Sequence, residues 1–295
     1  MKCCAGRVLL RFLSVKDMSL LMLDATKIST PVMQRTRGRA RVHLAATPNG
    51  AKLAGLHQSG SGKAMLPKVH DPVPEVVFLN TAGGLTGGDR LDYAVTVDAG
   101  GRAVATSQTA ERAYAAVSGE AEVDVHLSVG AGGHLDWLPQ ETILFERCSL
   151  RRRTRVDLQG DASILMVESV VLGRAAMGET LSDINFHDTR TITRDGVVIL
   201  HEPVGLSAYD LSTGAAGLNG SRAFATVILA APTAPDRVEQ IRALTLPDGV
   251  AWGVSGWDGK CVMRLMAADA TPLRRALYQT LTTLRGRQMP RVWQI

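Results

Sequence analysis

Aromatic side chains make up only 4% of this 295-residue chain, which leaves few platforms on which the bases of a single-stranded nucleic acid could stack. Cysteine is as scarce. Cys3, Cys4, Cys148 and Cys261 form no CxxC pair, and the adjacent Cys3 and Cys4 are poorly placed to bridge each other. This usage predicts a reducing, cytoplasmic setting in which Cys148 and Cys261 are small buried residues. No apolar run reaches the ~18 to 20 residues of a membrane-spanning helix. The N-terminal candidates are cut by Arg11, Lys16, Asp17 and Asp24, so no membrane association is expected.

The spacings that announce common chemistries are missing too. The seven histidines (His43, His57, His70, His126, His134, His187 and His201) give no HxH, HxxH or HExxH pattern, so no dedicated high-affinity metal site is expected. His126 alternates with apolar neighbours and reads as a solvated or hydrogen-bonded histidine. There is no GxxxxGK[ST] cradle and no GxGxxG turn, which argues against nucleotide binding. A GxSxG elbow is also lacking, and Ser107, Ser169 and Ser207 have no histidine nearby in sequence.

What is present is mostly β. Leu91, Tyr93, Val95 and Val97 alternate with polar residues, as do Val123, Val125, Leu127 and Val129, which puts each set on one strand face. The stretch Val97-Asp-Ala-Gly-Gly-Arg-Ala103 is echoed by Val129-Gly-Ala-Gly-Gly-His-Leu135, and Leu158-Gln-Gly-Asp-Ala162 repeats the punctuation without the double glycine. Stacked solenoid layers and paired hairpins of a sandwich both fit that echo. Two amphipathic helices are predicted in the C-terminal third. One starts near Thr233 and runs through Val238, Ile241 and Leu244; the other opens at Thr271-Pro272, carries Leu273, Leu277, Leu281 and Leu284, and ends at Gly286. Residues 47 to 75 read as an exposed loop. Residues 1 to about 30 read as a disordered or mis-started extension, with Met18 or Met22 as alternative starts, ahead of a single β domain over 31–295.

Three features could carry function. The run Leu79-Asn-Thr-Ala-Gly83-Gly84-Leu-Thr-Gly87-Gly88-Asp89 describes a tight backbone path that ends by presenting a carboxylate. Glu141 and Glu168 lie in apolar surroundings, and Glu179 ends Arg174-Ala-Ala-Met-Gly-Glu. A buried carboxylate needs a partner, hydration or a metal. Either an arginine, Arg112 or Arg174, neutralises such a glutamate, or Asp89, Glu111, Glu141, Glu168 and Glu179 line a hydrated passage for a divalent ion. Third, Arg147, Arg151, Arg152, Arg153 and Arg155 form a cationic cluster read as a solvated strand face, a partner site or a nucleic-acid site. The formal charge of +5 favours an acidic partner surface.

The glycine run resembles the signature of the UreD (UreH) urease accessory proteins. The likeness extends in order through Thr106 to Tyr114 with Glu111 and Arg112, Trp137 to Phe145 with Gln140 and Glu141, Val167-Glu168, Gly173 to Glu179, and Pro290-Arg291-Val292-Trp293. Ser169 departs from it, standing where a proline is common. The resemblance implies a β-helix-like stack of strands with a pair of helices. It also implies a non-catalytic protein in a hetero-oligomer, a dimer of UreD-UreF-UreG units, that binds urease apoprotein and assists nickel delivery. Ni²⁺ would touch the carboxylates transiently, with no permanent cofactor and no nucleic acid bound. Arg291 and Trp293 are then candidate partner-binding residues. The rival readings are an RNA-binding β protein using Arg147 to Arg155 and a hydrolase with a glutamate pair as acid and base.

Overall fold

The structure is a computed structural model that describes residues 34–294 apart from 49, 69, 70, 72, 175 and 176; the N-terminal extension expected over 1 to 30 lies outside these. The described residues from Arg35 onward fall in one compact unit. It opens with β1 (Arg37–Thr47), β2 (Gly50–Gly60), β3 (Gly62–Met65) and β4 (Glu75–Asn80). Three coils follow. The first is β5 (Arg90–Val97), β6 (Arg102–Ser107) and β7 (Glu111–Ala113); the second is β8 (Ala121–Val129), β9 (His134–Leu138) and β10 (Thr142–Leu144); the third is β11 (Ser149–Leu158) and β12 (Ser163–Leu172). A hairpin of β13 (Asn185–Arg194) and β14 (Val197–Ser207) comes next, then a short α1 (Ala208–Ser212). The chain ends in β15 (Ala223–Ala230), α2 (Val238–Arg242), β16 (Val250–Trp257), β17 (Lys260–Ala267) and α3 (Ala270–Arg285).

The coils stack in parallel. One sheet runs β14-β13-β11-β8-β5-β1-β2 and the other β16-β17-β15-β12-β9-β6-β4-β3, with β7 and β10 continuing the second sheet past a bend. This is a β-solenoid, so the sandwich alternative falls. The internal echo is its corner. Residues 98–101, 130–133 and 159–162 turn from the first sheet to the second, and Gly100 N donates to Ala131 O at 2.8 Å, one layer on the next.

Two apolar layers result. Phe78, Leu127, Leu135, Ile164 and Phe186 fill the space between the sheets. Leu165, Val167, Leu273, Leu277 and Leu281 pack α3 on the outer face of the second sheet. β12 is therefore buried on both faces, which explains its unbroken apolar run around Glu168. Cys148 and Cys261 are buried free thiols, as expected.

Two local expectations are corrected. The presumed loop over 47–75 holds β2 and β3, because β2 is exposed along most of its length and needs no apolar period to pair with β1. The helix expected to open at Thr271-Pro272 begins at Ala270 instead and is capped by Asp269, whose Oδ1 accepts from Thr271 N at 2.7 Å. Gly286 closes it in the left-handed region, φ 63°.

Candidate functional site: a charged chamber between the sheets

The second sheet bends twice in the same place, at residues 108–110 between β6 and β7 and at 139–141 between β9 and β10. Glu111 N donates to Glu141 O at 2.9 Å across the two bends. Inside the bend the sheets part around a cavity of about 100 Å³, lined by Phe78, Tyr93, Glu111, Trp137, Arg152 and Glu168 among others. It has room for a few water molecules. Exposed Gly83, Gln108 and Thr109 lie at its mouth.

The glycine run forms the lip. Gly83 O accepts from Tyr114 Oη at 3.4 Å, and Gly84 O from Asn80 Nδ2 at 3.3 Å. A side chain at Gly87 would bring Cβ to 2.2 Å of Ser118 O, so only glycine fits there. Asp89 locks the turn: its Oδ1 accepts from Thr36 N at 2.7 Å and its Oδ2 from Thr86 N at 2.8 Å.

Glu111 stands just inside. Asn80 Nδ2 reaches both of its carboxylate oxygens at 3.2 Å. Burial nevertheless pushes its carboxyl above the ordinary range, because the Asn80 bond, its bond from Arg112 N and the Arg112 charge offset only part of the desolvation. Tyr93, opposite in the chamber, has its phenol raised by burial and then by the Glu111 charge.

Glu168 is the floor. Its Oε1 accepts from Trp137 Nε1 at 3.0 Å, and its Oε2 lies 2.7 Å from Arg152 Nη1. That second contact is an ion pair without hydrogen-bond alignment, whereas Arg152 grips Asp188 with both ends of its fork, Nε to Oδ1 at 3.0 Å and Nη2 to Oδ2 at 2.8 Å. Charges then alternate away from the chamber. Arg190 Nη2 meets Asp188 at 3.0 Å, Arg190 Nη1 meets Glu202 at 3.1 Å, and Glu202 pairs with Arg264, whose side chain is 64% exposed. Three carboxylates face three guanidinium groups from chamber floor to surface. Burial raises the Glu168 carboxyl, and Arg152 compensates incompletely; at Asp188 the same burial is outweighed by Arg152 and Arg190 together, which hold it below the ordinary range.

The structure brings together two of the five route carboxylates, Glu111 and Glu168, with Gly83, Arg112 and Gln140 beside them. The other three lie elsewhere. Asp89 is spent on backbone N–H groups. Glu141 pairs with Arg274 at 3.2 Å, under α3. Glu179 pairs with Arg174 at 2.9 Å and accepts from Glu146 N. The arginine that neutralises Glu168 is thus neither Arg112 nor Arg174 but Arg152, from the cluster expected to be solvated. Strand alternation splits that cluster: Arg152 shares the inward parity of Leu150, Val156 and Leu158, while Arg151, Arg153 and Arg155 point outward. Those three face Glu120, Glu122 and Asp124, at 2.7 Å for Arg151–Glu120 and 2.8 Å for Arg153–Asp124, so little free cationic field is left for a phosphate backbone. Asp188 and Arg190 went unnoticed in the sequence, although they share the parity of Phe186 and Ile192.

Trp293, expected at a partner surface, is instead buried on the chain's own core. Its Nε1 donates to Leu138 O at 2.9 Å, and the Arg274 guanidinium lies 5.0 Å from its ring. Arg291 beside it is exposed. Among the described residues no three His, Cys, Asp or Glu side chains converge as a metal-binding group, and no helix is long and apolar enough to cross a membrane.

Fold and site define a β-solenoid with a helix-covered flank and a charged internal chamber. The family model for the UreD urease accessory protein matches residues 36–294. A urease accessory protein UreD of Cereibacter sphaeroides is 55% identical over 264 residues, 89% of this chain and 96% of its own length. That of Dinoroseobacter shibae is 51% identical over 272 residues, 92% of this chain and 96% of its own, and one from Rhizobium leguminosarum is 43% identical over 265 residues, 89% and 96%. The chain belongs to the UreD family of urease accessory proteins.

Proposed function

We propose that this chain is a non-catalytic, cytoplasmic scaffold for urease maturation. It binds the urease apoprotein together with UreF and UreG, the latter a GTPase carrying nickel, so that Ni²⁺ reaches the metallocentre. Family membership over 36–294 supports the accessory role. The observation that carries the nickel reading is the chamber, where Glu111 keeps an only partly compensated carboxylate just inside the mouth and Glu168 has an Oε2 without an aligned donor at the floor. Ni²⁺ is cargo here. Hard oxygen donors hold it less firmly than imidazole or thiolate, so it can leave again. Arg152 is the cation that an ion must displace to reach Glu168.

A glutamate pair acting as acid and base is a poorer account, because Glu168 is pinned between Arg152 and Trp137. The partner reading is tested by pull-down of the tagged chain from cells that express the complete urease gene set. Co-recovery of UreF, UreG and urease subunits, as paired UreD-UreF-UreG units on sizing, is the expected result. A chain recovered without UreF would contradict it.

A further inference from the structure

On the outer face of the second sheet, away from the chamber, the first residues of three parallel strands stand side by side: Arg102 of β6 beside His134 of β9, and His134 beside Ser163 of β12. They meet the last turn of α3 around a cavity of about 370 Å³. Ser163 Oγ lies 2.8 Å from His134 Nδ1, His134 Nε2 lies 2.9 Å from Asp136 Oδ1, and Arg285 Nε donates to Asp136 Oδ2 at 2.8 Å.

The order is that of a serine nucleophile's triad, but two facts count against that chemistry. Asp136 already shares its charge with Arg285, which weakens its hold on an imidazolium. The neighbouring backbone N–H groups of Gly132 and Gly133 donate to Asp161 Oδ1 and Gly130 O, so they make no oxyanion hole.

What the pocket has to spare is guanidinium N–H donors rather than net charge. The Arg285 side chain is 3% exposed and shares its one carboxylate with His134. Arg287 reaches Asp71 only at 3.6 Å, and Arg102 has no acceptor among the described residues. Asp161, the other acid in the lining, is taken by Gly132 N. Asp136, Asp161 and Asp71 are each engaged, which leaves Arg102 and Arg287 with N–H donors to spare against the apolar sides of Leu229 and Leu284. We propose that this pocket binds a phosphoryl oxyanion, gripped by Arg102 and Arg287 with Arg285 and Ser163 alongside. Planar guanidinium forks match the oxygen pairs of such a group better than they match chloride. The anion is either free inorganic phosphate or the end of a nucleotide. This site is independent of the nickel reading.

The test is calorimetric titration of the full chain at constant ionic strength with inorganic phosphate, with GDP, and with chloride as control. Saturable phosphate binding is expected, weakened at least ~10-fold in Arg102→Met and in Arg287→Met. It should be unchanged in Arg155→Met on the opposite sheet. GDP binding more tightly than phosphate assigns the pocket to a nucleotide's phosphoryl end; equal or weaker GDP binding assigns it to the free anion. Line broadening of the phosphate ³¹P signal by the wild-type chain needs no variant and guards against a folding artefact. Absence of saturable binding and of broadening, or binding that survives both arginine substitutions in folded protein, would overturn the proposal.

Discussion

Arg152 holds its Nη1 2.7 Å from Glu168 Oε2, with the two side chains 7% and 2% exposed. The contact is lopsided, because the aligned bonds of Arg152 go to Asp188 and to Thr142 Oγ1, and Glu168 keeps an oxygen without an aligned donor. The two partners should therefore be unequal when removed. Arg152→Met strands Glu168 and leaves Asp188 with Arg190 alone, and it should cost about 3–5 kcal/mol. Glu168→Gln leaves Arg152 on Asp188, and a cost of about 1–3 kcal/mol is expected. The Glu168→Gln complex should assemble yet activate urease slowly, and Glu168→Leu should abolish activation. Urea unfolding, complex recovery and activation rate on the same variants separate the effects; full activation by an assembled Glu168→Leu complex rules out a route past this residue.

Glu111 makes the sharper pH test. Its folded pKa is raised, so the folded chain binds the proton more tightly than the unfolded one. Stability therefore falls as pH rises from the ordinary carboxylate value toward the folded pKa, and the penalty is complete above it. Glu111→Gln removes that penalty. Its melting temperature should exceed wild type at pH 7 to 8 and converge with it on acidification toward pH ~4.5. A charge that costs stability at neutral pH and is nonetheless present at the chamber mouth should matter for cargo, so the same variant should slow nickel-dependent activation. A lower melting temperature at pH 7 would contradict this.

The glycine lip separates two kinds of constraint. Gly83 has φ +78° with open space at its Cβ position, so Gly83→Ala should cost about 1 kcal/mol. Gly87→Ala drives Cβ into the Ser118 and Gly119 carbonyls, at 2.2 and 2.7 Å, and should cost more than ~2 kcal/mol. Equal melting temperatures for the two variants would refute the close-approach account.

Much of this architecture was legible beforehand. The period-two strands, the echo at Val97, Val129 and Leu158, and the leucine stripe of α3 all carry apolar side chains into a core, and burial is what periodicity records. β2 was illegible because its residues bury almost nothing, so its pairing to β1 leaves no trace in hydropathy. Arg152 was hidden for the opposite reason. A buried arginine in a run of arginines looks like surface until the parity of Leu150 and Val156 is followed through it. Glu168 stood out because a lone charge in an apolar run is costly, but nothing local to it named its partner, which arrives from the next sheet.

Trp293 shows how a chemically reasonable expectation meets packing. Buried at 3% exposure with its indole N–H bonded to Leu138 O, it should cost about 3–5 kcal/mol when cut to alanine. Exposed Arg291 is the residue left to meet a partner. Arg291→Glu should leave melting unchanged and reduce UreF capture; unchanged capture would remove the C-terminal segment from that interface.

The account rests on nickel reaching urease by way of this chain, and nickel content measures that directly. Urease purified from a strain lacking the chain and grown at limiting nickel should contain assembled subunits with little bound metal, restored by the wild-type gene and not by Glu168→Leu. Normal nickel occupancy in the deletion strain would contradict the account.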